Sequence, residues 1–284
     1  MPPLFDKVLI IGVGQLGTSI GMNLISKKLA REVIGAGRSL KNLRDAVGMR
    51  AIHRFVRVRE GYAVPLRGEN DLIILATPVR TIRESLKMLP KGPLIIDVGS
   101  TKASIVKEAD RRRLRFVGCH PIAGIEKGGA RAGNKNLFRG RLCVVTASPR
   151  TSSKDQKCVE AFWKRLGART VSMSPAVHDR LFAITSHLPH VLAFSLSRLA
   201  GKNVTLKKDA PFVFTSFKDA TRVALSPVEM WRDIFLENRT EVVRAIDGMI
   251  AEMKGLRSLI SSKRSKDLMN FLTHARKTRQ GIAE

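Results

Sequence analysis

The chain has little cysteine, little tyrosine and little acid. Its 284 residues hold 3 Cys, 1 Tyr and 24 Asp+Glu against 51 Lys+Arg, a formal net charge of +27. Cys119, Cys143 and Cys158 are odd in number, widely spaced and never arranged as CxxC. That argues against a disulfide framework or a zinc site, and leaves them as small buried apolar residues. No stretch approaches the roughly 18 to 20 uninterrupted apolar residues of a membrane helix. The opening MPPLFDKVLI has no basic region ahead of an apolar one and no small-residue cleavage signal, so the expectation is a cytoplasmic protein without a membrane span. Aromatics are only 5%, and the positive charges are scattered along the chain. Nucleic-acid binders cluster their cations and stack bases on aromatics, so this composition argues against such a partner. The densest basic run, RRRLR at 111–115, reads as an exposed helix end.

What is present is a core. With 44% hydrophobic residues the chain can bury one, and its length exceeds the commonest single-core size, so two domains are expected. In the first half, short apolar runs alternate with helix-period segments. The runs are VLII (8–11), EVIGA (32–36), DLIILA (71–76), PLIIDV (93–98), RFVGC (115–119) and LCVVTA (142–147). Continuous apolar runs separated by helices predict a mostly parallel sheet covered on both faces, the doubly wound α/β class. From about residue 175 the strand-like runs stop and helical periodicity takes over, so the expected boundaries are 1–174 and 175–284. The segment from Pro227 to Leu259 reads as one helical run, with Met230, Ile234, Val242, Ile246 and Met249 on a stripe that needs a partner.

The first run leads into GVGQLG, with glycines at 12, 14 and 17. Gly12 permits a tight strand-to-helix turn, Gly14 lets the backbone approach a diphosphate, and Gly17 allows the next helix to pack closely on the sheet. The helix N-terminus then offers unpaired N–H groups and a positive dipole end. This context, strand then glycines then helix then a second strand about 20 residues on, predicts a Rossmann-like dinucleotide site. Gln15, Leu16 and Thr77 are assigned to the same site. At the end of the second strand an acid would hold the ribose hydroxyls of NAD. Here the stretch is GAGRS, with no acid, and Arg38 and Ser39 in position to meet a 2′-phosphate. The cofactor reading is therefore NADP ahead of NAD, although stacking of Arg38 on adenine would suit either.

Four further motifs follow in order: DVGSTK (97–102), GCHPIAGIEKGG (118–129), TSHLPHVLAF (185–194) and FKDATRVALSPVEMWRDIFLENR (217–239). With the glycines they resemble the prephenate/arogenate dehydrogenase family over nearly the whole chain. The resemblance implies an oxidative decarboxylation, in which a cyclohexadienyl ring gives up hydride and CO2 and becomes aromatic. It also implies an all-helical second domain that dimerises, and hence a homodimer.

Such a reaction needs a neutral base near the ring hydroxyl, which histidine supplies near pH 7. His120 matches the family's catalytic histidine, and Ser100 the serine beside it. Ser100 or Thr101 also reads as the cap of a helix beginning near Lys102. Arg222 matches the arginine that holds the side-chain carboxylate, and Trp231 an aromatic of the same motif that core packing explains equally well. By resemblance His187 and His190 line the pocket, while His178 reads as structural. No carboxylate or cysteine completes a metal set with these histidines, so no metal is expected. Pro189 must kink its helix or free a carbonyl. The chain departs from the family at Ile125, where many members carry Thr or Ser. Glu126, next to it, is retained and is open to pairing with a substrate ammonium or with Arg222. Prephenate and arogenate both remain as substrates. The competing readings are another two-domain NADP enzyme acting on a different acid or imine, and a nucleotide-sensing or nucleic-acid-binding protein without turnover.

Overall fold

A computed structural model describes residues 2–58, 66–124, 128–203 and 215–283. These residues divide into two compact units, one ending at Asn238 and one beginning at Arg239.

The first unit is built on a sheet of eight strands: β1 (Phe5–Ile11), β2 (Ala30–Gly37), β3 (Arg54–Arg57), β4 (Leu72–Leu75), β5 (Leu94–Asp97), β6 (Phe116–Pro121), β7 (Leu142–Thr146) and β8 (Arg169–Met173). Their spatial order is β3-β2-β1-β4-β5-β6-β7-β8. Strands β1 to β6 are parallel, β7 runs antiparallel to β6, and β8 is parallel to β7. All six expected strands are present. The two that apolar runs did not announce, β3 (RFVR) and β8 (RTVSM), are the sheet edges and are half exposed. An edge strand with one wet face has no reason to be apolar throughout.

Alternate residues of the central strands feed two separate cores. Val8, Ile10, Leu72, Ile74, Leu94 and Ile96 lie in one, and Leu9, Ile73, Leu75 and Ile95 in the other. Helices α1 (Gln15–Ser26), α2 (Leu40–Gly48), α3 (Val79–Ser85), α4 (Ala103–Arg111) and α5 (Ser153–Arg165) follow the strands. Chain order reverses direction between β1 and β4, which is where folds of this order open a crevice at the carboxyl edge of the sheet.

From residue 175 the described residues are helical. Helix α6 (Pro175–Phe182) passes into a π-helical turn, Ala183–His187, and then α7 (Leu188–Asn203). Pro189 stands in the first turn of α7, directly after the widened turn, so the expected irregularity is there. Next come α8 (Thr215–Thr221), a 3-10 turn at Arg222–Leu225, and α9 (Val228–Glu237), which places Trp231 and Ile234 in the core beside Val79 and Ile82 of α3. The second unit consists of α10 (Arg239–Ser261) and α11 (Ser265–Ala283). The expected single run from Pro227 to Leu259 is therefore two helices. The break falls at Asn238, whose buried side chain bonds outward to Asp179 and His187, so its role is in tertiary contacts rather than helix continuity.

Candidate active site

The glycine-rich turn has the geometry its spacing predicts. Gly12 has φ +101°, and a Cβ there would lie 2.4 Å from the Ala76 carbonyl oxygen. A Cβ on Gly17 would lie 2.0 Å from the carbonyl oxygen of Gly12, whereas one on Gly14 would meet nothing within 4 Å. Gly14 is also the N-cap of α1, with no side chain capping that helix. The α1 N-terminus thus opens onto a space that a side chain at 14 would fill, and this fits a diphosphate. Thr77, beside Gly12, has a buried hydroxyl without a hydrogen-bond partner among the described residues. Gln15 is the first residue of α1, and Leu16 packs on the core. Arg38 and Ser39 are exposed at the end of β2. The Ser39 hydroxyl accepts the Asn42 N–H at 3.2 Å and so caps α2.

His120 lies near the carboxyl end of β6, half-buried. Its Nδ1 is 2.8 Å from Nε2 of His178, and Nδ1 of His178 is 2.8 Å from Oδ1 of Asp179. The Asp179 carboxylate also accepts the Lys102 N–H at 2.8 Å and the Ala103 N–H at 2.9 Å. Phe182 packs against both rings, stacked on His178 and tilted on His120. Burial, with the neighbouring His178, Lys102 and His187, holds His120 well below the ordinary histidine value of 6.5. Burial also lowers His178, against the pull of Asp179. Both imidazoles are therefore neutral at neutral pH.

Behind it lies a fully buried ion pair. Lys102 Nζ bonds Asp97 Oδ2 and donates to the Cys119 carbonyl at 2.7 Å. Asp97 accepts the N–H groups of Gly99 at 2.9 Å and Cys119 at 3.1 Å. Held in this way, the pair ties the loop after β5, which carries half-buried Ser100, to the strand carrying His120. The expected cap of α4 by Ser100 or Thr101 is not formed. The N-cap position is Lys102, no local side chain serves it, and the Thr101 hydroxyl has no partner among the described residues. Asp179, 76 and 77 residues away along the chain, takes those N–H groups instead.

A second group surrounds Trp231. Its indole stacks on His190 with ring centroids 3.4 Å apart and lies edge-on to His187 at 6.0 Å. His190 donates from Nδ1 to the Ser186 carbonyl at 2.9 Å. Arg222 opens its 3-10 turn close enough that its charge helps burial lower His190. Asn238 donates both to the Asp179 carbonyl at 2.8 Å and to Nδ1 of His187 at 3.2 Å, joining the two groups. Trp231 Nε1 is buried without a hydrogen-bond partner among the described residues.

Of the sequence-derived candidates, the structure gathers His120, His187, His190, Trp231 and Arg222 through this network. Gly12, Gly14, Gly17 and Thr77 form the separate glycine-turn cradle. Glu126 and Ile125 lie outside the described residues. Sequence reasoning missed Asp97, Lys102, Asp179 and Asn238. A signal was available for the first two, since charged residues begin and end DVGSTK beside an otherwise apolar strand. None was available for the others, which bridge to groups distant in sequence.

This architecture, a 3-2-1-4-5-6 parallel order with a glycine cradle at the reversal and a neutral histidine at the sheet's carboxyl edge, defines a nicotinamide-dinucleotide oxidoreductase. Residues 30–172 match the prephenate dehydrogenase nucleotide-binding domain and residues 174–274 its dimerization domain. The chain belongs to the prephenate dehydrogenase family. It is 31% identical to cyclohexadienyl dehydrogenase of Zymomonas mobilis, over 98% of this chain and 97% of that one. To prephenate dehydrogenase of Bacillus subtilis it is 30% identical, over 99% of this chain and 77% of the relative. The crystal structure of Aquifex aeolicus prephenate dehydrogenase with hydroxyphenyl propionate and NAD+ superimposes with a TM-score of 0.87 at 32% identity, covering 98% of each chain.

Proposed function

We propose that the chain oxidises prephenate with loss of CO2 to give 4-hydroxyphenylpyruvate, with arogenate as a second substrate. The observation that carries this is the neutral, half-buried imidazole of His120 at the carboxyl edge of the sheet, its basic form protected by burial. His120 takes the proton of the ring hydroxyl, and Ser100 hydrogen-bonds in the same region. The carbon bearing that hydroxyl gives hydride to the bound nicotinamide. Loss of the ring carboxylate as CO2 returns its electron pair to the ring, and the resulting phenolate oxygen takes back the proton. Arg222 holds the side-chain carboxylate, while His187, His190 and Trp231 line the pocket. Glu126 belongs to the same proposed site.

Domain limits of 1–174 and 175–284 are proposed from the two family matches, which meet between 172 and 174, whereas compactness divides the chain after Asn238; two chains are proposed to pair as a homodimer. For the cofactor we propose NADP ahead of NAD. Arg38 supports this, being exposed, with no acid beside it at the end of β2. Arogenate is retained because the Zymomonas relative, similar over nearly the full length of both chains, is named a cyclohexadienyl dehydrogenase. Assaying prephenate and arogenate, each with NAD+ and NADP+, tests the proposal. The expected result is prephenate-dependent reduction, faster with NADP+, and no reduction in any of the four combinations would overturn it.

A further inference from the structure

Neutral imidazole has two tautomers, and only the one with its proton on Nδ1 leaves Nε2 free to act as a base. We infer that His178 and Asp179 are positioning residues that hold His120 in that tautomer. The inference rests on His120 being the base and follows from the direction of three hydrogen bonds.

A carboxylate only accepts. Both oxygens of Asp179 already accept backbone N–H groups from the start of α4, so the atom of His178 facing it, Nδ1, must be the donor. His178 is lowered by burial and carries one ring proton, so its Nε2 has a lone pair. The atom facing that lone pair is Nδ1 of His120 at 2.8 Å, which must therefore donate. The proton of His120 is then on Nδ1 and its Nε2 is the basic nitrogen. When Nε2 takes the substrate proton, the imidazolium keeps its Nδ1–H bond to His178, and no ring has to turn. The order is enforced at its far end by backbone groups that cannot reverse their polarity. His178 and Asp179 are also adjacent on α6, so one helix docking onto the N-terminus of α4 sets the whole series.

Three variants of the full-length enzyme test this. His178→Leu removes the acceptor. His178→Gln can place an amide oxygen near the former Nε2. Asp179→Asn introduces an N–H that can donate to His178 and reverse the series. Expected for His178→Leu is a kcat about 30-fold or more below wild type, since part of a general base's 10² to 10⁴ is lost, with KM for prephenate and the Kd for cofactor within about three-fold. His178→Gln should recover at least about a third of the wild-type kcat, the two variants melting at similar temperatures. Equal kcat values for the Leu and Gln variants would overturn the inference.

Imidazole ¹⁵N spectra of histidine-labelled wild-type enzyme provide a readout independent of turnover. Protonated Nδ1 and bare Nε2 are expected at His120, moving to the opposite or a mixed pattern in Asp179→Asn. A protonated Nε2 in the wild type would overturn the inference whatever the variants do. Turnover in His120→Asn separates the two levels. Full activity there removes the base itself, whereas an inactive His120→Asn alongside fully active His178 variants removes only the positioning role.

Discussion

At the scale of single residues, the buried histidines set a stability that depends on pH. Burial pushes His187 down from 6.5 to about 4, with His178 and His190 adding to the shift and Asp179 opposing it. The unfolded chain protonates this imidazole near pH 6.5 and the folded chain near pH 4. In that window the unfolded state binds more protons, so stability rises with pH and is lost as the pH falls from 6.5 toward 4. The full effect of one such group is on the order of 3 kcal/mol. Urea midpoints measured between pH 7.5 and 4.5 should fall steeply, and His187→Asn should flatten the slope. An unchanged slope would remove His187 from the account. His120→Asn should lower kcat by about 10² to 10⁴ with cofactor binding retained, as expected for loss of a general base. Near-normal turnover would reject its role. Because burial lowers His120, the acid limb of kcat/KM should lie below pH 6.5. These side chains were legible in the sequence to different degrees. His120 stands in a motif, and its type already suggests the chemistry. Asp179 reads as an ordinary acid on an amphipathic helix, because the two backbone groups it holds lie 76 and 77 residues earlier and no local spacing reveals them.

At the scale of elements, the strand-glycine-helix unit lends itself to a paired test. Gly17→Ala would drive a Cβ into the Gly12 carbonyl at 2.0 Å, a backbone contact that cannot yield. It should cost about 1–3 kcal/mol of stability as well as cofactor affinity. Gly14→Ala meets only open space and a φ of −78° that alanine accepts. It should leave the melting temperature unchanged while weakening cofactor binding. If both variants bind cofactor normally, the cradle is elsewhere. The central strands could be read from composition because they are buried on both faces, and periodicity found the helices. The edge strands β3 and β8 escaped because half-exposed edges carry polar residues, and the break at Asn238 escaped because its cause is a tertiary contact.

At the scale of the whole molecule, the second unit needs cover. Among its described residues only Val242 and Ala245 are buried, while Val243, Ile250 and Met253 of α10 and Met269 and Leu272 of α11 are exposed. Two helices with so little interior do not make a stable unit alone, and exposed apolar patches of this kind mark association surfaces. Sedimentation should show a dimer, and Ile250→Glu combined with Met253→Glu should shift it to monomer with a lower melting temperature. A wild-type monomer at micromolar concentration would refute the homodimer.

The grip of Asp179 on the first turn of α4 also bears on where the protein can be divided. The acid lies a few residues beyond the end of the nucleotide-binding match at 172. A fragment cut at that limit would leave two backbone donors of α4 without their acceptor. The nucleotide-binding half is thus completed by an acid that its own boundary leaves outside it.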